Sequence, residues 1–231
     1  MVLLQVGELW GVVPNGVYVG SYLLKALACA GFFIWLKPWR GYPALRLQHL
    51  PWAIWVGGGV AVIWILPETP WMHSFAPGIQ EFYHQWLILP PGVRPDYFNP
   101  SYYPELPPGH RALSFAPEVW GWGVTLGKLW GSACVIAVIE EFFFRGFFYR
   151  WLLKNEFWTV PLKFFDARAF WMVVLVFGVE HDRWVVGIVA GVAYGCLALR
   201  TGDIWAVAIA HGLTNLLLGI YVILSRQYGF W

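Results

Sequence analysis

Charge is what this sequence has least of. Asp, Glu, Lys and Arg make up 12% of its 231 residues, where a soluble domain carries about 25%. So few charges cannot cover a water-facing surface, and with 59% of residues hydrophobic the chain requires lipid as much of its solvent. The net charge of +2 is too small to suggest nucleic acid as a partner. Cysteine is scarce too. Cys29, Cys134 and Cys196 lie inside apolar runs without CxxC spacing, which argues against a disulfide framework or a zinc knot. HExxH is absent. Met1 to Tyr18 lack a basic start and a small-residue cleavage site, so no cleavable signal peptide is expected. No internal repeat is visible.

What the chain does have is long apolar runs. Gly16 to Leu36 can cross a hydrocarbon core of ~30 Å at ~1.5 Å per residue, despite Lys25. Leu50 to Leu66 is a second span. A third is expected near Leu129 to Trp151, with an amphipathic lead-in from Glu118. Ala169 to Val179 is a short apolar run. Trp184 to Leu199, rich in the glycines that permit close helix packing, and Ile204 to Leu224 complete the set. The expected fold is an all-α polytopic membrane protein of about six spans, with six to eight as the range.

Between the second and third spans, Pro67 to Pro117 hold 11 of the 16 prolines. Each removes a backbone donor and fixes φ, so this stretch cannot be a spanning helix. It reads as an extramembrane or interfacial loop rich in Tyr and Trp, as headgroup-level segments often are. The chain thus divides into residues 1–117, two spans plus this loop, and 118–231, a membrane core. The connectors at 37–46 and 150–168 hold seven Lys or Arg, while the proline-rich loop holds only Arg94 and Arg111. By the positive-inside rule the two connectors face the cytoplasm and the N-terminus faces out.

Ionisable groups at membrane depth are expensive and mark function by default. Three clusters qualify: Glu140-Glu141-Phe-Phe-Phe-Arg145, Phe177-Gly-Val-Glu180-His181-Asp182-Arg183, and His211-Gly-Leu-Thr-Asn215. Glu141 and Arg145 are four apart, share a helix face and can pair. Glu140 lies ~100° round the helix and is free to face something else. Two adjacent carboxylates resist simultaneous ionisation, which suits one of them for proton transfer near neutrality. Phe177 and His181 share a face, as do His211 and Asn215. Counted from the basic ends at ~1.5 Å per residue, Glu140 lies ~21 Å above Lys154, His181 ~20 Å above Arg168, and His211 and Asn215 ~17 and ~23 Å above Arg200. Three helices therefore carry polar residues to one level, which points to one buried site.

Plainer readings exist for each residue. A single intramembrane His or Asn often makes an interhelical hydrogen bond. Glu141 and Arg145 read as a structural pair, Glu180, Asp182 and Arg183 as turn or interface residues, and the Phe runs as packing or lipid-facing groups. Lys25 and Lys128 can snorkel.

The three clusters resemble the signature of the CAAX-protease-like (CPBP) family, which includes the prenyl-protein CAAX endopeptidases: EExxxR, then FxxxH, then HxxxN, on three membrane helices. Here these are Glu140-Glu141-FFF-Arg145, Phe177-GVE-His181 and His211-GLT-Asn215. The resemblance covers about residues 118–231. The C-terminal stretch HGLTNLLLGIYVILSRQYGFW is also similar to a bacterial branch, the CAAX prenyl protease-related proteins that accompany exosortase and PEP-CTERM sorting systems. Bacteria lack ordinary protein prenylation, so the implied substrate is a membrane-anchored protein or C-terminal sorting segment, cut near its hydrophobic anchor. The implied location is the bacterial inner membrane.

The resemblance implies an intramembrane glutamic-type endopeptidase without a cofactor. Glu140 would activate water, His181 would hold and polarise it, and His211 and Asn215 would donate to the oxyanion. Glu141, Arg145 and Phe177 would support them. One Glu and two His also resemble the His₂Glu set of catalytic zinc sites, so a zinc-dependent protease built on the same residues is the alternative. From another class, a non-proteolytic scaffold, immunity-type protein or proton-coupled carrier would use the same polar residues differently. A carrier would usually show repeat symmetry.

Overall fold

A computed structural model describes residues 15–88 and 113–231. Among the described residues there is helix and no strand. The helices are α1 (Asn15–Leu36), α2 (Leu50–Ile65), α3 (Pro77–Trp86), α4 (Trp122–Leu153), α5 (Ala167–Val179), α6 (Trp184–Thr201) and α7 (Ile204–Ser225). Five segments are long and apolar enough to cross a membrane: Gly16–Leu36, Leu47–Glu68, Trp122–Leu153, Trp184–Thr201 and Ile204–Ser225. Helix α5, at 13 residues, is ~20 Å long at 1.5 Å per residue and falls short of spanning. The protein is a polytopic helical membrane protein. Leu24, Trp55 and Leu224, all exposed, belong to its lipid-facing surface.

Two sequence expectations change in detail. The third span begins at Trp122 rather than near Leu129, because its lead-in is helical and continuous with it. Part of the expected proline-rich loop is helical, in Pro70–Phe75, α3 and Pro117–Trp120. Each of these helices starts with its proline in the first turn, where the missing N–H costs nothing. The run from Pro90 to His110, and Arg94 and Arg111, lie outside the described residues.

The basic connectors meet at one end. The Tyr42 hydroxyl donates to the Gly146 carbonyl at 2.8 Å, and Arg150 Nη1 donates to Tyr42 at 3.0 Å. Asp203 caps α7 by accepting from the Trp205 and Ala206 N–H groups. Its other oxygen accepts from the Arg46 N–H at 2.9 Å and lies 3.1 Å from His49 Nδ1. One carboxylate therefore joins the first connector to the last inter-helix turn, where Gly202 takes φ +61°. At the opposite end, Arg183 Nε donates to Glu68 Oε1 at 2.6 Å, and His84 Nε2 lies 3.0 Å from Glu68 Oε2. The Arg183 guanidinium sits 4.1 Å from the Phe230 ring centroid.

Helix α7 is the centre of the bundle because small residues let its neighbours approach. A Cβ on Gly57 of α2 would collide with the Ala210 carbonyl, and one on Gly212 would stand 2.7 Å from the Ala133 carbonyl of α4. Close approach of this kind replaces the hydrophobic drive that lipid cannot supply between helices.

Candidate active site

Helix α4 is irregular where the sequence placed its polar cluster. Gly131–Ile136 and Phe142–Phe148 are π-helical, on either side of the α-helical turn Ala137–Glu141. Such widened turns are rare and frequent at functional sites. Here the first one presents the Ser132 carbonyl to α7, where Asn215 Nδ2 donates to it at 3.0 Å.

Glu141 is fully buried, and its Oε1 receives two bonds, from Arg145 Nη1 at 3.1 Å and from His211 Nδ1 at 2.8 Å. The pairing with Arg145 matches the spacing in the sequence; the bond to His211, 70 residues away, has no local signal. Arg145 Nη2 donates to the Gly191 carbonyl at 3.0 Å, and its guanidinium lies 4.6 Å from the Phe177 ring centroid. The Glu141–Arg145 pair is thus enclosed and bonded through Oε1, Nη1 and Nη2, while Glu141 Oε2 and Arg145 Nε are buried without a hydrogen-bond partner among the described residues.

The His211 ring is clamped on its face as well. Tyr194 stacks on it at 4.8 Å with planes 24° apart, and Phe177 meets it edge-on at 5.7 Å. Tyr194 is fixed by donating to Thr214 Oγ1 at 2.7 Å, which in turn donates to the Gly57 carbonyl at 2.8 Å. With Nδ1 committed to Glu141, Nε2 faces Glu140, 3.7 Å from Oε2. That is beyond a direct hydrogen bond.

His181 departs from expectation in one respect. It does not stand on a helix, because α5 ends at Val179 and residues 180–183 turn into α6. The four-residue relation survives: His181 Nδ1 lies 2.8 Å from the Phe177 carbonyl and the rings are 4.9 Å apart. A carbonyl only accepts, so Nδ1 carries the proton and Nε2 is left for the site. Trp64 of α2 packs edge-on to the ring at 5.3 Å. Burial lowers the His181 pKa, with the Glu140 carboxylate acting in the other direction, so the neutral ring is favoured.

Glu140, His181, His211 and Asn215 all line one cavity of about 200 Å³, together with Ser132, Tyr194 and Thr214. The expected site residues therefore converge, with Glu141, Arg145 and Phe177 packed behind them. Trp64, Glu68, Ser132 and Tyr194 were not legible in the sequence, since each acts across helices. Among the described residues, no three His, Cys, Asp or Glu side chains are gathered so as to hold a metal ion.

Residues 122–217 match the family model of type II CAAX prenyl endopeptidase Rce1-like proteins. That stretch contains Glu140 to Arg145, Phe177 to His181 and His211 to Asn215, and covers less than half of the chain. No curated protein and no solved structure matches the chain.

Proposed function

We propose that this chain is an intramembrane endopeptidase of the CAAX-protease-like family, hydrolysing a peptide bond near the membrane anchor or C-terminus of a membrane-associated protein. One observation carries the reading: Glu140, His181, His211 and Asn215 line a single cavity enclosed by apolar helices. Polar groups gathered at such cost need a reaction to justify them. The family match over residues 122–217, a stretch that contains these four residues, supports the reading.

In this mechanism Glu140 accepts a proton from a water held against His181 Nε2. The resulting hydroxide attacks the scissile carbonyl carbon. His211 in its protonated form, through Nε2, and the second amide N–H of Asn215 donate to the oxyanion, an effect typically worth ~2.7–4 kcal/mol per donor. Glu140 then returns its proton to the leaving nitrogen as the C–N bond breaks. Glu141 orients His211 through Nδ1. A zinc enzyme would use Glu140, His181 and His211 as ligands, which would take Glu140 away from its role as base, and the chelator arm of the test below decides between the two. The bacterial branch that accompanies exosortase systems supplies the substrate class, a C-terminal sorting segment, and the inner membrane as location. The positive-inside rule puts the basic connectors in the cytoplasm.

The test is proteolysis in liposomes with C-terminal sorting segments from the same genome. Wild type, Glu140→Gln and His211→Ala are compared with and without a strong zinc chelator. Cleavage that survives chelator and is lost in both variants is the expected result. Equal cleavage by Glu140→Gln removes the catalytic assignment, and loss in chelator with recovery on zinc makes Glu140 a ligand.

A further inference from the structure

His181 stands on a turn, where no helical ladder fixes the backbone. The Glu180 and His181 N–H groups still donate back to the Val176 and Gly178 carbonyls of α5, and the Arg183 carbonyl already accepts from Gly187 of α6. Each charged residue of the turn has a counter-charge. Glu180 lies against Lys25, and Asp182 against Lys128, which is buried and does not snorkel. Arg183 makes the tightest of these links: its Nε donates to Glu68 Oε1 at 2.6 Å, and both side chains are buried. Glu68 is itself fixed. His84 Nε2 lies 3.0 Å from its other oxygen, and the Tyr221 hydroxyl of α7 donates to its main-chain carbonyl at 3.4 Å. Glu68 follows Trp64 by four residues on the segment Leu47–Glu68. Trp64 meets the His181 ring edge-on at 5.3 Å. The end of this one segment therefore grips the turn twice, at His181 and two residues later at Arg183.

We infer that Glu68 and Arg183 are positioning residues for His181: their ion pair sets the turn so that Nδ1 stays on the Phe177 carbonyl and Nε2 faces Glu140. This rests on the proposed protease reading for the water that His181 holds, and not for the orientation of its ring. A buried ion pair is a poor way to gain stability, because desolvation of both charges offsets their attraction and an apolar pair packs as well. What it supplies is direction. The Arg183 guanidinium is planar, held at Nε by the carboxylate and set 4.1 Å from the Phe230 ring centroid, so it admits few orientations. Arg183 belongs to the cavity wall and Glu68 stands behind it. Glu68 therefore acts on the reaction through the turn, and its removal lowers kcat rather than raising KM.

The ring is read directly by ¹⁵N NMR of the full chain, labelled at histidine and held in nanodiscs at about pH 8, where a neutral imidazole shows which nitrogen carries the proton. Comparison with His181→Gln assigns the signals. Wild type should show His181 as a single tautomer, protonated at Nδ1. The decisive variant is the double substitution Glu68→Gln with Arg183→Met. It removes both charges together, so that no buried ion is stranded, and Gln keeps an oxygen for His84. Its unfolding temperature should return to within about 2–4 °C of wild type, the shift of about one weak interaction in a chain of this size, while either single variant unfolds lower. Its His181 signals should nevertheless report both tautomers. Cleavage of C-terminal sorting segments should fall in kcat by about ten- to a hundredfold, the effect of a misplaced group, with KM little changed. A stable double variant with a wild-type His181 spectrum overturns the inference, because the pair is then only structural. So does a mixed tautomer with unchanged kcat. Both tautomers in wild type overturn it too, and that reading needs no variant to fold. If wild type cuts nothing while the tautomer changes as expected, the protease reading fails and the positioning of the ring stands.

Discussion

Glu141 Oε1 stands 2.8 Å from His211 Nδ1 and 3.1 Å from Arg145 Nη1, so one buried carboxylate oxygen holds a cation and orients an imidazole. The adjacent Glu140 reaches the other side of the same ring, with Oε2 at 3.7 Å from Nε2. Two neighbours in sequence therefore serve opposite edges of one histidine: Glu141 fixes its orientation and Glu140 shares the cavity with it.

Replacing Glu141 with Gln should cost both stability and activity. Breaking a buried charge pair by removing one partner typically destabilises by about 3–5 kcal/mol. Thermal unfolding in detergent should show that loss for Glu141→Gln and a comparable one for Arg145→Met. Unfolding temperatures equal to wild type would mean that the pair contributes nothing to the fold.

Glu140→Gln should leave unfolding temperature nearly unchanged, since Glu140 has no bond to Arg145 and its side chain is partly exposed to the cavity. Its turnover in liposomes should fall by about 10²–10⁴, the usual contribution of a general base. A variant that is unstable as well as inactive would assign Glu140 a structural role.

Tyr194 holds His211 by stacking and by the chain of hydroxyls to Thr214 and Gly57. Tyr194→Phe keeps the stack and drops one hydrogen bond, about 0.5–1.5 kcal/mol of stability, with turnover close to wild type. Tyr194→Leu removes the stack and should lower kcat more than it changes KM. Equal kinetics for the two variants would show that the stack does not position the imidazole.

Gly57→Ala places a methyl group against the Ala210 carbonyl at the tightest crossing of α2 and α7. Overpacking of this kind costs about 1–3 kcal/mol, and His211 lies one residue from the point of strain. A lower unfolding temperature together with weaker turnover is expected. Gly58→Ala, which meets nothing within 4 Å, is the matched control and should change neither.

Much of this was legible locally. Apolar runs long enough to cross lipid set the membrane fold, because backbone in hydrocarbon must satisfy itself as helix. The i, i+4 spacings of Glu141 with Arg145 and of Phe177 with His181 reappear as contacts, since both members of each pair lie on one stretch of chain. The two motif histidines were visible because ionisable groups in apolar runs stand out. What tertiary structure alone decided lies between helices. The bond from Glu141 to His211, the ion pair of Glu68 with Arg183 and the clamp of Tyr194 on His211 join segments far apart in sequence. Their existence depends on crossing points such as Gly57 on Ala210 and Gly212 on Ala133, and on π-helical turns that reset which way α4 faces. A lysine in an apolar run is free to snorkel as far as its sequence says. Only the packing of Tyr22 and Phe115 around Lys128 keeps it inside, because burial is a property of neighbours and not of the residue.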